Sequence, residues 1–114
     1  MVKFVNLTPH EIVIFDNEGK NIIKRIPPSG QVARVSVKRT KVAEIGGVPV
    51  FRTEYGEVEG LPEPKEGTVY IVSILVLQAL RGRRKDVIAP DTSPQSVIRD
   101  DQGRIKGVRA FTVL

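Results

Sequence analysis

Residues 68–82 read TVYIVSILVLQALRG, and the fold class turns on where this run changes from strand to helix. Thr68 to Ser73 has the β-branched and aromatic content of a buried central strand. From Ser73 to Arg81 the leucines, the length and the following Gly82 are those of a short helix. The run is therefore read as a strand and then a helix over about 73–81. Ser73 would be its N-cap, with the hydroxyl accepting a bond from a free amide of the first turn. One long strand reaching Leu77 is the alternative.

Upstream, 56–67 (GEVEGLPEPKEG) is rich in proline, glycine and glutamate and reads as a surface loop. Before it, Ala33, Val35 and Val37 alternate with Arg34, Ser36 and Lys38, the period-two pattern of a strand with one wet, basic face. Gly46 and Gly47 separate KVAEI from VPVFRTEY, so a hairpin is expected there, with Pro49 holding its second strand to an edge or to the strand's beginning. PPSG at 27–30 breaks the chain. Ahead of that break, 11–26 reads as a hairpin around Asp16, Asn17, Glu18 and Gly19, preceded by a first strand over Val2 to Leu7. Downstream, Asp100, Asp101, Gln102 and Gly103 mark a last hairpin. The sum is roughly seven to nine short strands and one helix. The expected fold is α+β, predominantly antiparallel β, in a single compact domain spanning 1–114.

The chain has 114 residues, 40% hydrophobic and 27% charged, which is ordinary for a folded globular protein. It has no cysteine and one histidine, which excludes disulfides, thiolate metal sites, cysteine nucleophiles and a mainly histidine metal centre. No cofactor is implied. The longest apolar run is shorter than the roughly 20 residues needed to span a bilayer, and the N-terminus lacks a signal peptide's pattern. A cytoplasmic protein without membrane contact is expected. The scarcity of thermolabile side chains beside abundant Lys, Arg and Glu points to a thermophilic source.

The formal charge of +5 favours anionic partners in general. Direct nucleic-acid binding is disfavoured, because the few aromatics form no spaced stacking pair and no DNA- or RNA-binding motif is present. Arg81, Arg83, Arg84 and Lys85 follow the expected helix, where they complement its dipole and cap its last carbonyls. Glu54, Glu57, Glu59, Glu63 and Glu66 are assigned to the solvated loop. A Ser–His–Asp triad of Ser73, His10 and Asp86 or Asp91 is rejected, because the glycine-flanked elbow that exposes a serine nucleophile is missing. No catalytic residue is assigned.

One constellation remains. Thr8, Pro9 and His10 close the first strand in the sequence NLTPH, and Ser73 closes the most apolar strand. If the two strands lie side by side and parallel, Thr8, His10 and Ser73 gather at one sheet end, where free amides and a helix start favour an anion. Arg99, Arg104 and Arg109 of the last hairpin are candidate charge partners. The expected ligand is an anionic small molecule or nucleotide. Turn chemistry alone also explains each residue of NLTPH. The competing reading is a structural or assembly protein that forms homo-oligomers through sheet edges and takes no small ligand, marked by an edge left unprotected by charge or proline.

VNLTPHEI, GEVEGLPEPKEGTVYIVS, DVIAPD and VIRDDQGRIKGVRAF together span nearly the whole chain. In order and spacing they resemble a family of small uncharacterised proteins of bacteriophages, prophages and bacterial genomes. The resemblance implies a phage-type context and no particular chemistry. In that family the serine after YIVS is often followed by a basic residue, where this chain has Ile74. A looser similarity, to viral ring nucleases that bind cyclic oligoadenylates, implies a nucleotide-binding or defence-countering role.

Overall fold

The computed structural model describes residues 2–114. Its elements in order are β1 (Lys3–Asn6), β2 (Ile12–Phe15), β3 (Ile22–Ile26), β4 (Arg34–Ile45), β5 (Val48–Glu59), β6 (Thr68–Ile71), α1 (Ile74–Leu80), β7 (Val87–Pro90), β8 (Val97–Arg99), β9 (Ile105–Val108) and β10 (Phe111–Thr112). This is an α+β fold dominated by mixed and antiparallel sheet, with a single short helix among the described residues.

The run at 68–82 splits into strand and helix at Ser73. Its strand, β6, is apolar without alternation because both of its faces are covered. It lies inside a sheet of order β1-β6-β7-β10, parallel to both neighbours. Tyr70 and Val72 point to one face, where Val76, Leu77 and Leu80 of α1 close a core with Leu7, Val87 and Ala89. Ile71 points to the other face and packs with Ile12, Ile14, Ile26 and Val108 of a second sheet, ordered β3-β2-β9-β8. β1 and β7 follow the same alternation, with Phe4 and Ile88 turned toward that second sheet. Three layers result: helix, first sheet, second sheet.

Ser73 caps α1 by accepting a 3.3 Å hydrogen bond from the Val76 amide. The helix ends at Arg81, which takes the left-handed conformation (φ 52°) and donates its amide to the Gln78 carbonyl. Sequence reading places that role on glycine, and Gly82 does follow with φ 74°, so the left-handed turn starts one residue earlier than the glycine suggests.

Two expectations change. Among the described residues there are ten strands, because the run after Arg104 is divided between the sheets: β9 joins the second and β10 the first. The crossing is fixed by Ser96, 3% exposed, whose hydroxyl accepts from the amides of both Arg109 (3.0 Å) and Ala110 (3.1 Å). The second change concerns Glu54, Glu57 and Glu59, which belong to β5 and not to a proline-rich loop. The hairpin register carries them, pairing Val35 with Val58 and Arg34 with Glu59, so the loop is confined to the residues after Glu59.

β4 and β5 form a two-stranded antiparallel ribbon of 12 residues each, joined at Gly46 and Gly47. Both glycines have positive φ (58° and 81°), the conformation a two-residue hairpin turn requires. The ribbon accounts for the molecule's elongation: the Cα radius of gyration is 16.4 Å, with extents of 50 × 39 × 22 Å, against about 13 Å for a close-packed chain of this length.

Candidate functional site

β1 and β6 are adjacent and parallel, with Asn6 opposite Ile71, so the NLTPH turn and Ser73 do leave the first sheet at the same end. The polar groups of the turn, however, are engaged with one another. Asn6 is 1% exposed. Its amide nitrogen donates to the carbonyls of His10 (2.8 Å) and Ile26 (3.0 Å), and its oxygen accepts from the Thr8 amide (2.9 Å) and hydroxyl (2.7 Å). The Thr8 hydroxyl also lies 3.0 Å from the His10 carbonyl. Threonine, proline and histidine thus follow the first strand because a buried asparagine needs a closed loop around it. The sequence signal for Asn6 is slight: an asparagine at the end of an apolar strand, ahead of Thr-Pro.

The other nominated residues lie apart. Ser73 is exposed and its hydroxyl caps α1. Arg109 follows Val108, which pairs with Ile14 near the end of β2, whereas His10 precedes the start of β2; the strand between them is about 13 Å long. Arg109 donates to the Gln95 carbonyl at 3.2 Å, and its guanidinium bears on Gly19, where an added Cβ would lie 2.5 Å from Nη2. Arg99 stands on the edge strand β8 and donates to the Gly103 carbonyl at 2.7 Å. Arg104 pairs with Asp100 at 3.4 Å within the same hairpin. Of the five principal candidates, Thr8 and His10 share a turn with Ser73 at the same sheet end, and the two arginines stand on the second sheet.

Two arginines of the basic run after α1 are also engaged internally. Arg83 donates to the carbonyls of Leu80 (3.0 Å) and Ala79 (3.3 Å), capping the helix. Arg84 grips Asp86 with two 2.8 Å bonds and reaches the Pro62 carbonyl at 3.0 Å. That fork holds the Asp86 carboxyl below its ordinary pKa, the hydrogen bonds to Arg84 outweighing desolvation.

His10 does border an open cleft of about 310 Å³ between the start of β2 and β9, lined also by Ile12, Pro90, Thr92, Lys106 and Val108. The lining is largely apolar, with His10 and Lys106 as its basic groups and Glu11, paired with Arg25 at 3.0 Å, as its acidic one.

The β4–β5 ribbon has a different character. Only Val35, Val50, Tyr55 and Val58 along it are even half-buried, and Val35 and Val58 anchor its base on the helix-side core. Beyond that base stand Val42 (48% exposed), Ile45 (68%), Val48 (62%) and Phe51 (40%). The Arg39 guanidinium lies over the Phe51 ring, 4.0 Å from its centroid. Among the described residues no further strand pairs with either edge. Alternation in the sequence predicts these strands and says nothing about what covers them.

Comparison of the chain with protein-family models, with curated proteins and with solved structures finds no match. No helix among the described residues is long and apolar enough to cross a membrane.

Proposed function

We propose that this protein is a self-assembling structural protein and that the β4–β5 ribbon is its assembly arm. The observation that carries the reading is the ribbon itself: 12-residue strands with two unpaired edges and exposed Val42, Ile45, Val48 and Phe51. An isolated two-stranded hairpin is marginal in water, and unpaired edges invite another strand. A cytoplasmic, phage-type setting belongs to the same proposal, supported by the motifs that resemble phage and prophage proteins.

The test is molar mass by light scattering across a wide concentration range. The comparison is a variant lacking residues 41–45 and 48–51, which keeps Gly46 and Gly47 as the turn and Thr40 opposite Arg52, so the remaining register is unchanged. The full chain should exceed monomer mass as concentration rises, and the trimmed variant, which retains Val35 and Val58 in the core, should remain monomeric. A full chain that stays monomeric throughout rules the reading out.

A second reading, an anionic small molecule bound beside His10, is favoured by the cleft that His10 shares with Lys106. Chemical-shift changes in Lys106 and His10 on titration with phosphate and with AMP would support it. Unchanged spectra would remove it.

A further inference from the structure

The two free edges of the ribbon differ in sign. β4 carries Arg34, Lys38, Arg39 and Lys41 against a single Glu44, whereas β5 carries Glu54, Glu57 and Glu59 against a single Arg52. We infer that the arm assembles head to tail, β4 of one copy pairing with β5 of the next; this rests on the assembly reading above. A two-fold pairing of β4 with β4, or of β5 with β5, would set like charges across the new edge, which destabilises strand pairs. The unlike pairing sets cations against carboxylates. It also repeats between copies the arrangement already present within each hairpin, where Arg34 lies opposite Glu59 and Lys38 opposite Glu54.

Direction follows from the hairpin. When ribbons stand side by side, the up-strand of one meets the down-strand of the next, so every new pair is antiparallel and the sheet continues from copy to copy. A contact of this heterologous kind does not stop at two copies. The edge charges and Pro49 act as guards against indiscriminate pairing. Because the charges are of opposite sign on the two edges, they exclude like edges and admit the unlike edge of another copy.

The experiment uses a charge-exchanged full-length variant carrying Arg34→Glu, Lys38→Glu, Glu54→Lys and Glu59→Arg, which preserves both opposite pairs within the hairpin and inverts the sign of both edges. Wild type and variant, with distinguishable masses, are mixed while dilute, concentrated together and read by native mass spectrometry. Head-to-tail pairing predicts that each protein assembles with itself and that mixed species fall about tenfold below random mixing. Mixed species above the random level would overturn the inference, since two-fold pairing of like strands favours wild type with variant. Wild type that is monomeric alone would instead overturn the assembly reading itself.

Should the exchanged variant not fold, the salt dependence of wild-type assembly takes its place. Head-to-tail pairing of unlike edges predicts that assembly weakens as sodium chloride screens their attraction. Assembly that strengthens with salt would contradict it, since screening favours two-fold pairing of like edges.

Discussion

The side-chain nitrogen of Asn6 donates to the main-chain carbonyl of Ile26 at 3.0 Å, across 20 residues of sequence and between the two sheets. The same side chain closes the NLTPH turn on itself through His10 and Thr8. One buried amide thus sets both the exit of β1 and the docking of the β2–β3 hairpin against it.

Replacing Asn6 with alanine removes the side-chain donor to the Ile26 carbonyl and the side-chain acceptor of the Thr8 amide, both in buried bonds, and leaves the His10 carbonyl with the Thr8 hydroxyl alone. The expected loss is about 2–4 kcal/mol, a fall in Tm of about 10 °C for a chain of this size. Thermal and denaturant melts measure it. A change in Tm below about 2 °C would mean that solvent reaches these groups and that the turn is not held by Asn6.

Gly107 lies where β9 meets β2. A Cβ there would sit 2.5 Å from the Val13 carbonyl oxygen and 2.7 Å from the Phe15 ring. Because the first of these is backbone, it cannot swing aside. Gly107→Ala is expected to cost about 1–3 kcal/mol through overpacking, read as a lower denaturant midpoint at unchanged slope. An unaltered midpoint would show that β2 and β9 are less closely apposed.

Arg84 and Asp86 give the fold an acid-sensitive tie. The folded pKa of Asp86 lies below the ordinary 3.8, so the folded state binds fewer protons than the unfolded chain across that interval. The stabilisation is therefore complete above the unfolded value and is lost as pH falls through the folded one. Both side chains are only about one-fifth exposed (21% and 22%), and the pair contributes about 1–2 kcal/mol. Asp86→Asn should be less stable than wild type at pH 7, with the gap narrowing below about pH 4. A gap independent of pH would assign the effect of the substitution to packing.

Much of this architecture is legible in the sequence, and the part that is not has a physical reason. The strand-to-helix change at Ser73, the turn at Asp16–Gly19 and the Gly46–Gly47 hairpin are local, set by residues within a few positions, and sequence reading finds them. That β1 lies beside β6 and parallel to it enters the sequence reading only as a condition, which the pairing of Asn6 with Ile71 meets. The crossing at Arg109–Ala110 depends on a serine 13 residues away, and the length of β5 depends on pairing with β4, so neither can be read from nearby residues. NLTPH illustrates the difference most clearly. Its threonine and histidine read as available donors, and only the buried position of Asn6 shows how the threonine is engaged.

The assembly arm is tested most directly by hydrogen–deuterium exchange of residues 34–59, followed as protein concentration is raised. About half the amides of each strand point away from the hairpin partner and, in a lone molecule, exchange freely. On assembly through the arm, these outward amides on both β4 and β5 gain protection with concentration while the strands of the two sheets keep theirs unchanged. Outward amides that exchange at the same rate from dilute to concentrated protein would contradict it.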